Sequence, residues 1–274
     1  MKHSWQVSAV LLSIFLAAQF IGLFVVYSYI DVSASEQATI EAGKPVVVYG
    51  QLPYGVERPN IAPGISFIFF GAAIAIGTLL LLLIIKLRKL SLWKVWFFLA
   101  VVITLTAAFS AFIPSLAAAV LSLALAYFKV FRPNVLAHNL SELFVYGGLA
   151  AIFVPVMNVK SAAILLLIIA AYDIFAVFHS KHMITMAKFQ TENNIFAGLF
   201  VPKKLSARSA VSPITPPSAA STKPSQPLLK ADKYSDSGSY AVIGGGDVGF
   251  PLLFAGTALA TFGFNKALII PVAA

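Results

Sequence analysis

Asp173 and Asp247 are the residues of this chain whose type and setting call for chemistry. Of the ten acidic residues, Asp31, Glu36, Glu41, Glu57, Glu192, Asp232 and Asp236 fall in polar stretches, and Glu142 reads as the watery start of a helix. Only Asp173 and Asp247 sit inside apolar runs. A carboxylate at the centre of a bilayer costs at least ~2.5–3.5 kcal/mol on insertion scales, so an acid kept there implies function. No Lys, Arg or His reads as deep in an apolar run, so a neutralising salt bridge has no partner. Two carboxylates sharing a low-dielectric site cannot both ionise and hold one proton between them. The charged member can take a proton from water while the neutral one donates to a peptide carbonyl, which is acid–base peptide hydrolysis. Proton- or ion-coupled transport is the alternative from another class. It calls for paired broken helices in two symmetric halves, whereas this chain has one Gly-rich break and no internal repeat.

The spacing of the two acids predicts a shared depth. Asp173 lies eight residues before Lys181, ~12 Å along a helix, and Asp247 lies seven after Tyr240, ~10 Å. If the two runs form successive antiparallel helices, both acids occupy nearly one plane. Gly244, Gly245, Gly246 and Gly249 surround the second acid; lacking side chains, they allow close approach of another backbone and weaken the helix there. Gly244, Gly246 and Gly249 also satisfy G-x-G-x-x-G, but a dinucleotide site needs a preceding strand and an acid ~20 residues later. No acid follows Asp247.

The elements that must position this pair cross a membrane. The chain is 59% hydrophobic and 11% charged, against about a quarter charged for soluble domains. Apolar runs fall near 7–30, 65–85, 92–113, 116–130, 140–157, 161–180 and 240–264, several reaching the ~20 residues a bilayer demands. The expected fold is therefore an all-α polytopic bundle of seven complete transmembrane helices plus the start of an eighth. Residues 1–160 form an N-terminal bundle of five helices; 161–182 is the helix of the first aspartate. A mostly disordered cytoplasmic loop occupies 183–239, and 240–274 holds the helix of the second aspartate and the start of the next. The first run is too long for a signal peptide, whose apolar region is ~7–15 residues. Pro114 predicts a tight turn between the third and fourth helices. The last run, Ala267 to Ala274, would span only ~12 Å, so a longer intact protein is expected.

Charge sets the expected orientation. Placing the amino terminus in the cytoplasm gives that side 15 of the 19 Lys and Arg residues. Discounting the long loop, the split is still eight against four, as the positive-inside rule requires. The net charge of +9 is thus a topology signal. It forms no stripe interleaved with aromatics and implies no nucleic-acid partner. There is no cysteine, which excludes disulfides and thiolate metal sites.

At the two acids the sequence resembles the presenilin and signal peptide peptidase family of intramembrane aspartyl proteases. Its first motif, Tyr-Asp, matches Tyr172-Asp173, within Ala171 to Val177; its second, Gly-x-Gly-Asp, matches Gly244-Gly245-Gly246-Asp247. Val248 to Pro251 continue the second as signal peptide peptidases do, and Lys181 to Ala187 resembles archaeal members. The resemblance implies that Asp173 and Asp247 are the catalytic dyad. It implies that Tyr172 orients or shields the first aspartate, and that Gly244, Gly246 and Pro251 shape the site. It also implies transmembrane helical substrates in a cell membrane, no cofactor, and nine helices in the intact protein. The family carries Pro-Ala-Leu on its ninth helix; this chain contains none. The charge count favours the presenilin-like orientation, with a cytoplasmic amino terminus.

Other constellations are weaker. His179 and His182 stand at i, i+3 but lack the third ligand and the H-E-x-x-H of a zinc protease. No Gly-x-Ser-Gly supports a serine mechanism, and prepilin peptidases usually place Lys where Gly249 stands. The apolar patch Ile195 to Val201 reads as a short interfacial helix, with a strand that pairs with substrate as the other reading.

Overall fold

The computed structural model describes residues 5–87, 89–132, 134–179, 186, 189–190, 197–202 and 240–274. The fold is mostly helical. In chain order come α1 (Trp5–Ser28), β1 (Ile30–Asp31), α2 (Val32–Ala42), β2 (Val48–Tyr49), α3 (Ser66–Leu87), α4 (Leu90–Phe109) and α5 (Ser115–Phe131). Then follow α6 (Val135–Phe153), α7 (Val159–Ile174), β3 (Gly198–Pro202), β4 (Tyr240–Gly244), α8 (Gly245–Phe262), α9 (Phe264–Ala267) and α10 (Ile269–Ala273). Among the described residues, four helical stretches are long and apolar enough to cross a bilayer: Trp5–Ser28, Ser66–Leu87, Leu90–Phe109 and Val135–Val156. The protein is a multi-pass membrane protein.

The core forms where α1, α6 and α8 meet, through Ala18, Leu23, Tyr146, Ala150, Leu252 and Ala255. Small residues make that approach possible. A methyl on Gly148 would overlap the Thr104 carbonyl of α4, and one on Gly147 would lie 3.2 Å from the Gly22 backbone of α1. Backbones in contact replace the missing hydrophobic drive between helices in lipid. On the other flank α3 pairs with α7 through Phe70, Ala162 and Leu165, while most of its apolar surface faces outward.

Two small hairpins mark the ends of the bundle. At the end of α1, β1 pairs with β2, and Arg58 pins that cap to the helices by donating to Gly50 O and Ala151 O at 2.7 and 3.2 Å. At the start of α1, Val7 packs against Val201 and Ala241 of the second hairpin, in which β3 and β4 run antiparallel with Gly198 opposite Gly244.

Several expectations change. The seventh apolar run does not begin as a helix: Tyr240–Gly244 is a strand, and the helix starts at Gly245. Three consecutive glycines are poor helix formers, and the strand's backbone groups are taken up by β3. Gly198 to Val201, favoured as an interfacial helix, belong to that partner strand. The fifth helix starts at Val135 rather than 140, because the Asn134 side chain caps it by accepting from Ala137 N at 2.8 Å. The turn after the third helix, 110–114, falls where Pro114 placed it. Most of 183–239, including the expected linker beyond Pro202, lies outside the described residues.

Candidate active site

The two aspartates stand at the end of α7 and the start of α8, helices that pack against each other. Asp173 is the penultimate residue of α7, after which the backbone widens into a π-helical turn over Phe175–His179. Asp247 stands in the first turn of α8, not ten ångströms along it. Both aspartates are exposed at the protein surface. Neither makes an ion pair among the described residues.

The glycines beside Asp247 have separate duties. A Cβ on Gly244 would lie 3.2 Å from Asp247 Oδ2, so a side chain there would press on the carboxylate itself. On Gly245 it would meet the Tyr146 hydroxyl at 3.0 Å and the Ala197 carbonyl at 3.2 Å; on Gly246, the Phe250 ring at 3.4 Å. Gly245 N–H donates to Ala197 O at 3.1 Å, which locks the first residue of α8 to the chain entering β3. Pro251 lies inside α8. Its ring nitrogen has no hydrogen, so the Asp247 carbonyl four residues earlier lacks its helical donor.

Tyr172 reaches across to α3: its hydroxyl donates to Thr78 Oγ1 at 3.1 Å, anchoring the turn that carries Asp173. On the far side of α8, Gln19 of α1 is fully buried and donates from Nε2 to Val248 O at 2.8 Å. An amide in the middle of the first apolar run was the sequence signal for that contact.

The structure overturns the reading of Glu142 as a watery helix start, and with it the absence of buried bases. Glu142 and Lys129 form an ion pair in which both side chains are 1% exposed, and His138 beside them is 2% exposed. With the helix starting at Val135, Glu142 lies two turns in and faces α5 instead of water. Neither base is paired with Asp173 or Asp247. His182 and the side chain of His179 lie outside the described residues, among which no cluster suited to a metal ion occurs.

A family model described as signal-peptide peptidase, presenilin aspartyl protease matches residues 48–270. Among solved structures, one titled as a presenilin family intramembrane aspartate protease in C222 space group is similar. It has a TM-score of 0.47 and 18% identity, with 91% of this chain and 75% of that one covered. No curated protein matches the chain.

Proposed function

Because the chain belongs to the signal-peptide peptidase and presenilin aspartyl protease family, and is thus an aspartic endopeptidase acting within membranes, we propose that Asp173 and Asp247 are its catalytic dyad. The observation that supports this reading is that the family model spans both motifs, with Tyr172-Asp173 at the end of α7 and Gly244-Gly245-Gly246-Asp247 at the start of α8, and that neither carboxyl has an ion pair among the described residues. In lipid such a pair holds one proton. The charged carboxylate draws a proton from water, the water oxygen attacks the peptide carbon, and the neutral carboxyl donates to the carbonyl oxygen. Gly244 leaves room at the carboxylate, Gly246 leaves room for the Phe250 ring, Pro251 frees the backbone beneath it, and Tyr172 anchors the opposing turn.

The substrate is a transmembrane helix, whose carbonyls are engaged by its own amides until it unwinds. An unwound segment needs backbone partners, since unsatisfied amides in hydrocarbon cost several kcal/mol. The outer edge of β4 is unpaired among the described residues and leads directly to Asp247. Strand addition there takes up the freed amides and lays the scissile bond against the dyad. The bundle crosses the cell membrane seven times, through α1 and α3 to α8 except the cap helix α2, with its amino terminus and the 183–239 segment in the cytoplasm.

The test is cleavage of a transmembrane peptide by the purified protein in lipid vesicles, comparing wild type with Asp173→Ala and Asp247→Ala. Both variants should be inactive at unchanged melting temperature. Cleavage surviving in both removes the dyad, and ion flux lost in them without any proteolysis by wild type favours the transporter.

A further inference from the structure

The buried trio on α5 and α6 has no part in the chemistry so far, yet one chain of its contacts leads to the strand paired with the one that delivers Asp247. Lys129 Nζ is paired with Glu142 Oε1 and lies 3.5 Å from His138 Nδ1. The other ring nitrogen of His138, Nε2, lies 2.8 Å from the carbonyl oxygen of Gly198. A carbonyl only accepts and an ammonium only donates. One arrangement satisfies both neighbours: a neutral ring with hydrogen on Nε2 and a lone pair on Nδ1. Glu142 holds Lys129 in place, Lys129 selects the tautomer, and the tautomer donates to β3.

The next residue of α6 completes the grip. Asn139 Oδ1 accepts from Phe200 N at 2.9 Å, and its Nδ2 donates to Phe200 O at 2.6 Å. The amide thus occupies the outer edge of β3 as another strand would. The inner edge pairs with β4, Gly198 against Gly244, and Ala197 O accepts from Gly245 N–H. Two residues further along is Asp247. The His138 ring also packs edge-on against Phe200, with centroids 4.8 Å apart.

We propose that His138, fixed in one tautomer by the buried Lys129–Glu142 pair, is a positioning residue for Asp247 that acts through the β3–β4 hairpin. A two-stranded hairpin is marginal by itself, and the junction of β4 with α8 that it holds is three glycines, Gly244 to Gly246, which fix their own backbone poorly. Rigid placement must come from outside, and α6 supplies it. Catalytic groups need placement to within a fraction of an ångström, and a 1 Å error costs on the order of 100-fold. The role rests on the dyad assigned above, and its test separates the two.

Full-length protein in vesicles is compared as wild type, His138→Leu, His138→Gln and the Lys129→Met/Glu142→Met double variant. Glutamine retains an N–H donor at the Nε2 position; leucine does not. The double variant removes both charges together, which spares the bundle an unpaired buried ion. Backbone hydrogen exchange over 240–247 reads positioning without reference to activity. It should accelerate at least about tenfold in His138→Leu and in the double variant, and return toward wild type in His138→Gln, in line with local loosening. The rate constant kcat should fall about 10- to 100-fold in the same two variants and recover with glutamine. Imidazole nitrogen spectra, assigned by loss of the signal in His138→Gln, should show a neutral ring protonated on Nε2. Unchanged exchange over 240–247 in both His138→Leu and the double variant overturns the proposal, as does a ring protonated on Nδ1 alone. If His138→Leu fails to fold, the double variant decides alone. If Asp247→Ala still cleaves while exchange follows the pattern above, the dyad has failed and the hairpin clamp stands.

Discussion

At the residue scale, the two glycines of Gly-x-Gly-Asp separate by what a methyl group would strike. On Gly244 it would sit 3.2 Å from Asp247 Oδ2, closer than a carbon and a carboxylate oxygen rest, so the carboxylate must swing. On Gly246 it would meet the edge of Phe250 at 3.4 Å, and an aromatic ring can yield a few tenths of an ångström. Gly244→Ala should therefore lower kcat about tenfold or more with KM little changed, the cost of displacing a reacting group. Gly246→Ala should stay within about threefold of wild type, since core side chains adjust to a small overlap at modest cost. Steady-state cleavage of one transmembrane peptide by both variants checks the pair; equal losses would mean that the shape of the turn, not room for the carboxylate, governs the motif.

At the scale of elements, Pro251 sets the backbone below Asp247. Proline inside a helix costs ~3 kcal/mol, and α8 keeps one four residues after its aspartate. Pro251→Ala should restore a donor to the Asp247 carbonyl and stiffen the first turns of α8. Its melting temperature should be equal or higher and kcat several-fold lower, the trade expected where a weakened element serves function; undiminished kcat would show that the missing donor is idle. The opposite cap carries a pH response. Burial pushes the Tyr49 phenol up from 10 to about 12, Arg58 offsetting part of the rise. The folded protein thus favours the neutral phenol, and the stabilisation is complete below pH ~10 and lost as pH climbs toward 12. At ~1.4 kcal/mol per pH unit this is up to about 3 kcal/mol. Melting curves between pH 9 and 12 should fall less steeply in Tyr49→Phe than in wild type. The sequence disclosed the helices because hydrocarbon thickness imposes length and composition, which single residues report. It also disclosed that Asp173 and Asp247 stand on successive apolar helices, α7 and α8, because an acid inside an apolar run is legible residue by residue. It hid β4, because Tyr-Ala-Val-Ile is as apolar as a helix start and its partner is some forty residues distant. Lys129, His138 and Glu142 were hidden for a related reason: each alone reads as an interfacial charge, and only the crossing of α5 with α6 makes them partners.

For the whole molecule, the position of the hairpin ties topology to chemistry. Val7, near the start of α1, packs on Val201 and Ala241, so the amino-terminal end of α1, the β3–β4 hairpin and the dyad share one face of the bundle. The cap bearing α2 and Tyr49 lies at the other end of α1, a helix of 24 residues or ~36 Å, enough to cross the hydrocarbon. In the proposed reading water and substrate amides reach the dyad from the hairpin face, and the orientation proposed from the excess of Lys and Arg puts that face in the cytoplasm. The absence of cysteine makes this directly measurable, because one introduced thiol is the only one present. Val242 on β4 is 46% exposed, and Glu41 on α2 is exposed at the opposite cap. In right-side-out cells a membrane-impermeant maleimide should modify Glu41→Cys and leave Val242→Cys untouched until the membrane is opened. The reverse pattern would turn the molecule over, placing the dyad nearer the outer face and requiring substrates of the opposite orientation. Labelling of both positions from one side would mean that α1 does not hold the hairpin and the α2 cap on opposite faces, and would overturn the proposed crossing. A substrate helix, once docked on β4, should shield Val242→Cys but not Glu41→Cys, so the same two thiols also report where the unwound segment binds.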